Sequence, residues 1–169
     1  MRYFIKNDLV SFTGSSTVLD EQGRNAFIVK GKFFSPTHKK FICDLAGNTL
    51  FTVRNKYWTL FHKHVYISDN RDGGKRLLCR VRTGLFGRWK IYNNAIGLDL
   101  RGRFLQGTYA SINGRDVGMF YKDFTLSSMF INDAYTLDVF DESLAPFLVA
   151  LVVGYDNIRD QQESDILDN

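Results

Sequence analysis

Three short segments place cations at alternate positions. Arg80 and Arg82 lie in LLCRVR, Arg88 and Lys90 in GRWKIY, and Arg101 and Arg103 in DLRGRF. Successive side chains of a strand point to opposite faces, so Arg80 and Arg82 face one way while Cys79 and Val81 face the other. Arg88 and Lys90 alternate in the same way with Trp89 and Ile91, and Arg101 and Arg103 with Leu100 and Phe104. If the three segments are neighbours in a sheet, six cations share one outer surface. Such a surface suits phosphate-bearing ligands, because each Lys or Arg beside an anionic leaflet contributes about 1 kcal/mol. The plainer account is a solvated exterior, which must be polar somewhere. A second basic group, Lys30, Lys32, His38, Lys39 and Lys40, flanks a loop with Phe33 and Phe34, which suit either a lipid interface or the core.

Other reactive residue types do not assemble. His62 and His64 are two apart and would share a strand face, but no third ligand accompanies them. Asp116, Asp123, Asp133, Asp138 and Asp141 are scattered without EF-hand spacing, which favours turn and cap roles. Gly84 and Gly87 precede neither a G-K-[ST] nor a dinucleotide fingerprint. Ser15-Ser16 and Ser127-Ser128 lack a nucleophile-elbow context. Cys43 and Cys79 are isolated in strand-like runs, where a thiol behaves as a small hydrophobe in a reducing compartment. The expectation is a non-enzymatic, cytoplasmic protein with no metal and no cofactor.

The elements that must position these residues are mostly strands. Hairpins with polar turns recur as TVLDEQGRNAFIVKG, FICDLAGNTLFTVR, VYISDNRDGGKRLLCRVR and TYASINGRDVGMFYK. Asp20, Asp44 and Asp69 begin turns, and Gly23, Gly47, Gly73 or Gly74, and Gly114 supply positive φ. Further strands are expected at Arg2–Lys6, Leu9–Thr13, Tyr57–Phe61, Arg88–Tyr92, Ile96–Leu100 and Tyr135–Phe140, for about twelve in all. One segment differs. Leu144–Tyr155, LAPFLVALVVGY, is free of charge and apolar on every side of a helical wheel. A helix of that kind must be enclosed. Ser143 is its expected N-cap, and Pro146 suits its first turn. At twelve residues it falls short of the roughly 20 needed to cross a bilayer, so it is read as core and not as a membrane span.

Many strands and one wholly apolar helix imply a closed antiparallel β-barrel around a buried C-terminal helix, because closure removes exposed edges and a wide barrel needs filling. The domain is expected over residues 1–158, with the helix at about 143–158 and an acidic, flexible tail over 159–169. Charge is uneven along the chain. Residues 1–103 hold 19 Lys and Arg against 7 Asp and Glu, and residues 104–169 hold 3 against 11. The basic majority points to an anionic partner.

The stretches VLDEQGRNAFIVKGKFFS, LAGNTLFTVRNKYWTLFHKHVYI and APFLVALVVGYDNI together resemble the LURP-one-related family of the tubby-like and phospholipid-scramblase-like superfamily. The resemblance spans about Leu9 to Ile158 and implies a closed barrel around a central hydrophobic helix. Tubby-like relatives bind phosphoinositides through a basic barrel wall, and scramblase relatives are linked to lipid movement and calcium. This chain lacks an acidic calcium loop and a cysteine-rich palmitoylation run, which argues against the scramblase role. The expected partner is an anionic membrane surface, which the domain would meet peripherally. The alternative is a protein-interaction module using aromatics such as Trp58, Trp89 and Tyr92. The acidic last third argues against nucleic acid.

Overall fold

The computed structural model of the chain describes residues 1–6, 15–31, 35, 37–56, 63–83, 89–103, 107–123 and 134–167. It describes their side chains except for Lys6, Thr83, Arg103, Asp123 and residues 159–167. Twelve strands are described: β1 (Arg2–Lys6), β2 (Ser15–Asp20), β3 (Asn25–Gly31), β4 (Lys40–Cys43), β5 (Thr49–Asn55), β6 (His64–Asp69), β7 (Arg76–Thr83), β8 (Trp89–Tyr92), β9 (Leu98–Arg103), β10 (Gly107–Ile112), β11 (Arg115–Asp123) and β12 (Ala134–Val139). The helix α1 (Ala145–Leu167) follows. The strand expectations at Leu9–Thr13 and Tyr57–Phe61 lie outside the described residues.

The strands form one antiparallel sheet in the order β8-β7-β6-β5-β4-β3-β2-β1-β12-β11-β10-β9. Sequence neighbours pair at every step but β8–β9, and β1 joins β12, Phe4 opposite Thr136. The sheet thus curls into a nearly closed barrel whose seam falls mid-chain, between β8 and β9, and not at the chain ends. The four hairpins read from the recurring segments are β2–β3, β4–β5, β6–β7 and β10–β11. Each carries a register shift close to its turn, which adds local twist and helps a sheet curl. Their turns close as the sequence implies. Asp20, Asp44 and Asp69 each accept a backbone N–H from two or four residues on. Asn113 and Gly114 both take positive φ, the conformation a two-residue hairpin turn needs.

Antiparallel alternation puts these tight turns at one rim, together with residues 93–97 and the start of α1. The entry to α1 differs from expectation in its cap. Asp141, not Ser143, is the capping residue: its carboxylate accepts the Ser143 N–H and hydroxyl at the head of a short 3-10 turn, Glu142–Leu144. This short turn connects the end of β12 to α1. Helix α1 then runs through the interior. Phe147, Leu148, Val149, Ala150, Leu151, Val152 and Val153 are all buried, whichever way they face. Phe147 meets Phe51 at 6.0 Å between ring centroids, and Tyr155 sits among Trp89, Phe120 and Tyr135. The helical backbone continues to Leu167, through the segment expected to be a flexible tail. That segment holds neither Gly nor Pro to stop it.

The helix is polar at one level, where it reaches the second rim. The Asp156 carboxylate lies 3.9 Å from the Lys40 ammonium, and both residues are buried. Asn157 donates to the His38 carbonyl at 3.1 Å and to the Asn55 side-chain oxygen at 3.2 Å. Lys40 belongs to the second basic group that flanks the loop with Phe33 and Phe34. It points inward, because β4 alternates Lys40 and Ile42 toward the core with Phe41 toward the outside. Phe33 and Phe34 lie outside the described residues.

Both cysteines are buried and free, and burial pushes the Cys79 thiol up to about 12. Thiolate is the reactive form, so native Cys79 is expected to resist iodoacetamide at mildly alkaline pH and to react after unfolding in urea. Mass spectrometry of the alkylated peptides checks this; labelling of the native protein at the unfolded rate would contradict the buried placement.

Candidate functional site

Strand register decides which cations meet. Arg54 on β5 stands opposite Tyr66 on β6, Tyr66 opposite Arg80 on β7, and Arg80 opposite Tyr92 on β8. Cation and ring therefore alternate across four strands of the outer wall, a span of about 14 Å at normal strand spacing. The Arg54 guanidinium lies 4.6 Å from the Tyr66 ring centroid and that of Arg80 lies 4.4 Å from Tyr92. Each stack contributes about 0.5–1 kcal/mol at such partly exposed sites and holds its guanidinium against the wall. The next row along the strands places His64, Arg82 and Lys90 opposite one another. Arg82 donates to the Tyr92 hydroxyl at 3.4 Å, tying the two rows together.

Arg54, Arg80, Arg82 and Lys90 form no ion pair with a carboxylate among the described residues. The secluded Nε atoms of Arg80 and Arg82 meet no acceptor there either. Lys39 and Lys75 extend the basic field. Desolvation, and then the charges of Lys39 and Arg54, hold the Lys75 ammonium below its ordinary range. Lys39 also lies 4.8 Å from the Phe41 ring centroid. A field of this kind attracts anions and strengthens in low salt.

The six cations singled out from sequence do not all share this wall. Arg80, Arg82 and Lys90 do. Arg101 lies across the seam on β9, where it hydrogen-bonds the Asp116 carboxylate and approaches Asp99 at 4.0 Å. Its charge is locally neutralised, so the spacing that grouped it with Arg80 misled. Arg88 lies outside the described residues, and of Arg103 the backbone in β9 is described but not the side chain. Arg54 and Lys75 were missed. Nothing in their local spacing marks them, because Arg54 joins Arg80 through pairing with β6.

Other candidates resolve into structural roles. His64 sits half-buried on β6, while His62 lies outside the described residues. Among the described residues no group of three His, Cys, Asp or Glu side chains could hold a metal ion. Asp116 pairs with Arg101, Asp138 with Arg2 at 2.6 Å, and Asp141 caps the turn before α1. Asp123 has only its backbone described, and Asp133, Gly84, Gly87 and Ser127-Ser128 lie outside. Of the aromatics offered as a partner surface, Trp89 packs inward on Tyr155 at 5.0 Å, Tyr92 lies under Arg80, and Trp58 lies outside the described residues. Among the described residues no helix is long and apolar enough to cross a membrane.

Comparisons with known proteins agree with this architecture. The X-ray structure of an Arabidopsis thaliana protein superposes with a TM-score of 0.55 over 94% of this chain and 90% of its own, at 20% sequence identity. At that identity the likeness speaks for the fold alone. No curated protein matches. The profile of the LURP-one-related family matches residues 1–156, which take in all twelve strands and the first half of α1. The chain belongs to the LURP-one-related family.

Proposed function

We propose that this barrel is a non-enzymatic domain whose outer β5–β8 wall binds phosphorylated lipid headgroups at the cytoplasmic face of a membrane, as a peripheral protein. The observation that carries the reading is the register that gathers Arg54, Arg80, Arg82 and Lys90 on one outer surface with no carboxylate partner among the described residues. The Arg–Tyr stacks hold two of the guanidiniums in place before any ligand arrives, which lowers the ordering cost of binding. An oxyanion seated between the rows is also the kind of acceptor that the Nε atoms of Arg80 and Arg82 want. The free, buried cysteines fit a reducing compartment.

Sedimentation with vesicles tests it. The protein is expected to pellet with vesicles containing phosphatidylinositol phosphate and to stay in solution with neutral phosphatidylcholine vesicles. At about 1 kcal/mol per cation, the triple variant Arg54→Gln, Arg82→Gln, Lys90→Gln loses about two orders of magnitude in affinity. Arg101→Gln, whose charge is already met by Asp116, changes little. Equal sedimentation with anionic and neutral vesicles at low salt would sink the reading.

A further inference from the structure

The seam between β8 and β9 is where the sheet runs out of partners. Among the described residues β8 pairs with β7 alone and β9 with β10 alone, although the two edges approach each other. Residues 93–97 join them at one end, where the Ala95 N–H reaches the Leu78 carbonyl at 2.9 Å and Asn94 brackets Leu98 with two 2.7 Å bonds. An edge of this kind presents main-chain N–H and C=O groups to any strand that comes alongside. Edges are commonly guarded by charge, and Lys90 stands fully outward at the middle of β8. Beneath the seam lies a small apolar cavity of about 10 Å³, lined by Trp89, Leu100, Phe120, Leu151 and Tyr155 among others.

We propose that the β8 edge accepts an extended segment of a partner protein as an added strand, with an acidic residue opposite Lys90 and apolar residues opposite Trp89 and Ile91. The register fixes this pattern. Lys90 points outward, so the residue opposite it on the incoming strand meets a cation that forms no ion pair with a carboxylate among the described residues. Trp89 and Ile91 pack against the core, so the incoming residues opposite them turn inward, toward the cavity. Cross-strand neighbours lie about 5 Å apart, close enough for both contacts. Main-chain pairing supplies affinity and the alternating side chains supply selection. β9 turns its own Arg101 to Asp116 and Asp99, so among the described side chains of the two edges Lys90 of β8 is the cation left for an incoming acid. The headgroup reading uses the outer wall and not the backbone edge, so each can fail without the other.

The test uses the full chain and three labelled short peptides: valine alternating with glutamate, valine alternating with lysine, and a block peptide of the first composition. Fluorescence anisotropy reads affinity, and hydrogen exchange reads protection of the β8 amides. The alternating glutamate peptide is expected to bind and protect Trp89–Tyr92, and the other two are not. Lys90→Ala weakens binding about fivefold, the scale of one cross-strand charge pair. Lys90→Glu transfers the preference to the lysine peptide, a gain that a merely misfolded variant would not give. Equal binding of the alternating and block peptides, or binding without protection of β8, would overturn the proposal.

Discussion

Lys40→Met is expected to cost the fold about 3–5 kcal/mol, because it removes the buried ammonium 3.9 Å from the buried Asp156 carboxylate. Lys40 is 3% exposed and Asp156 0% exposed, so water offers neither a substitute. For a chain of this size that loss lowers the melting temperature by roughly 6–20 °C. The pair is not in itself a source of stability, since desolvating two charges offsets most of their attraction. Hence the double variant Lys40→Met, Asp156→Leu is expected to recover most of the loss, two apolar side chains filling the space of the pair. Urea unfolding followed by circular dichroism gives the cycle. Additive losses in the double variant, or a single-variant loss below about 1 kcal/mol, would mean the two groups do not share a dry site.

That pair also shows how far the sequence could be read. The helix was legible because it is apolar on all sides, a pattern that water does not tolerate and a barrel interior does. The hairpins were legible because an Asp followed by a turn Gly acts locally, through bonds two to four residues long. Lys40 was grouped with its basic neighbours by spacing alone, which does not tell an inward from an outward cation. The hint lay in Lys39-Lys40 at a strand start, since alternation forces one of two adjacent residues inward, and in Asp156 and Asn157 interrupting an oily helix. The basic wall of β5–β8 was legible in half. Arg80, Arg82 and Lys90 follow from strand alternation and one hairpin-like neighbour. Arg54 joins them through β6, and Arg101 leaves them because the seam falls between β8 and β9. Both depend on strand order, which is set by packing of the whole sheet and not by any local spacing. The same nonlocality hid the seam: a chain whose first and last strands pair gives no local sign of where its barrel stays unpaired.

Leu148→Ala tests the helix's enclosure directly and is expected to cost about 2–5 kcal/mol. Leu148 is 0% exposed and lies against β11 at Gly118. A Cβ built on Gly118 would stand 2.8 Å from the Leu148 Cδ1 and 2.9 Å from the Asp138 carbonyl oxygen. The glycine is therefore there for space, letting a strand pass close over the helix. Gly118→Ala alone is expected to cost about 1–3 kcal/mol by overpacking. In the double variant the cavity left by Leu148 takes up one of the two clashes, while the Asp138 carbonyl, fixed in β12, still resists. The combined loss should thus fall short of the sum by about 1 kcal/mol, the coupling seen between residues in contact. Unfolding midpoints of the three variants in urea settle the matter. A helix lying on the outside of the sheet would give a Leu148→Ala loss under about 1 kcal/mol and no coupling to Gly118, and neither the barrel nor its outward basic wall would survive that result.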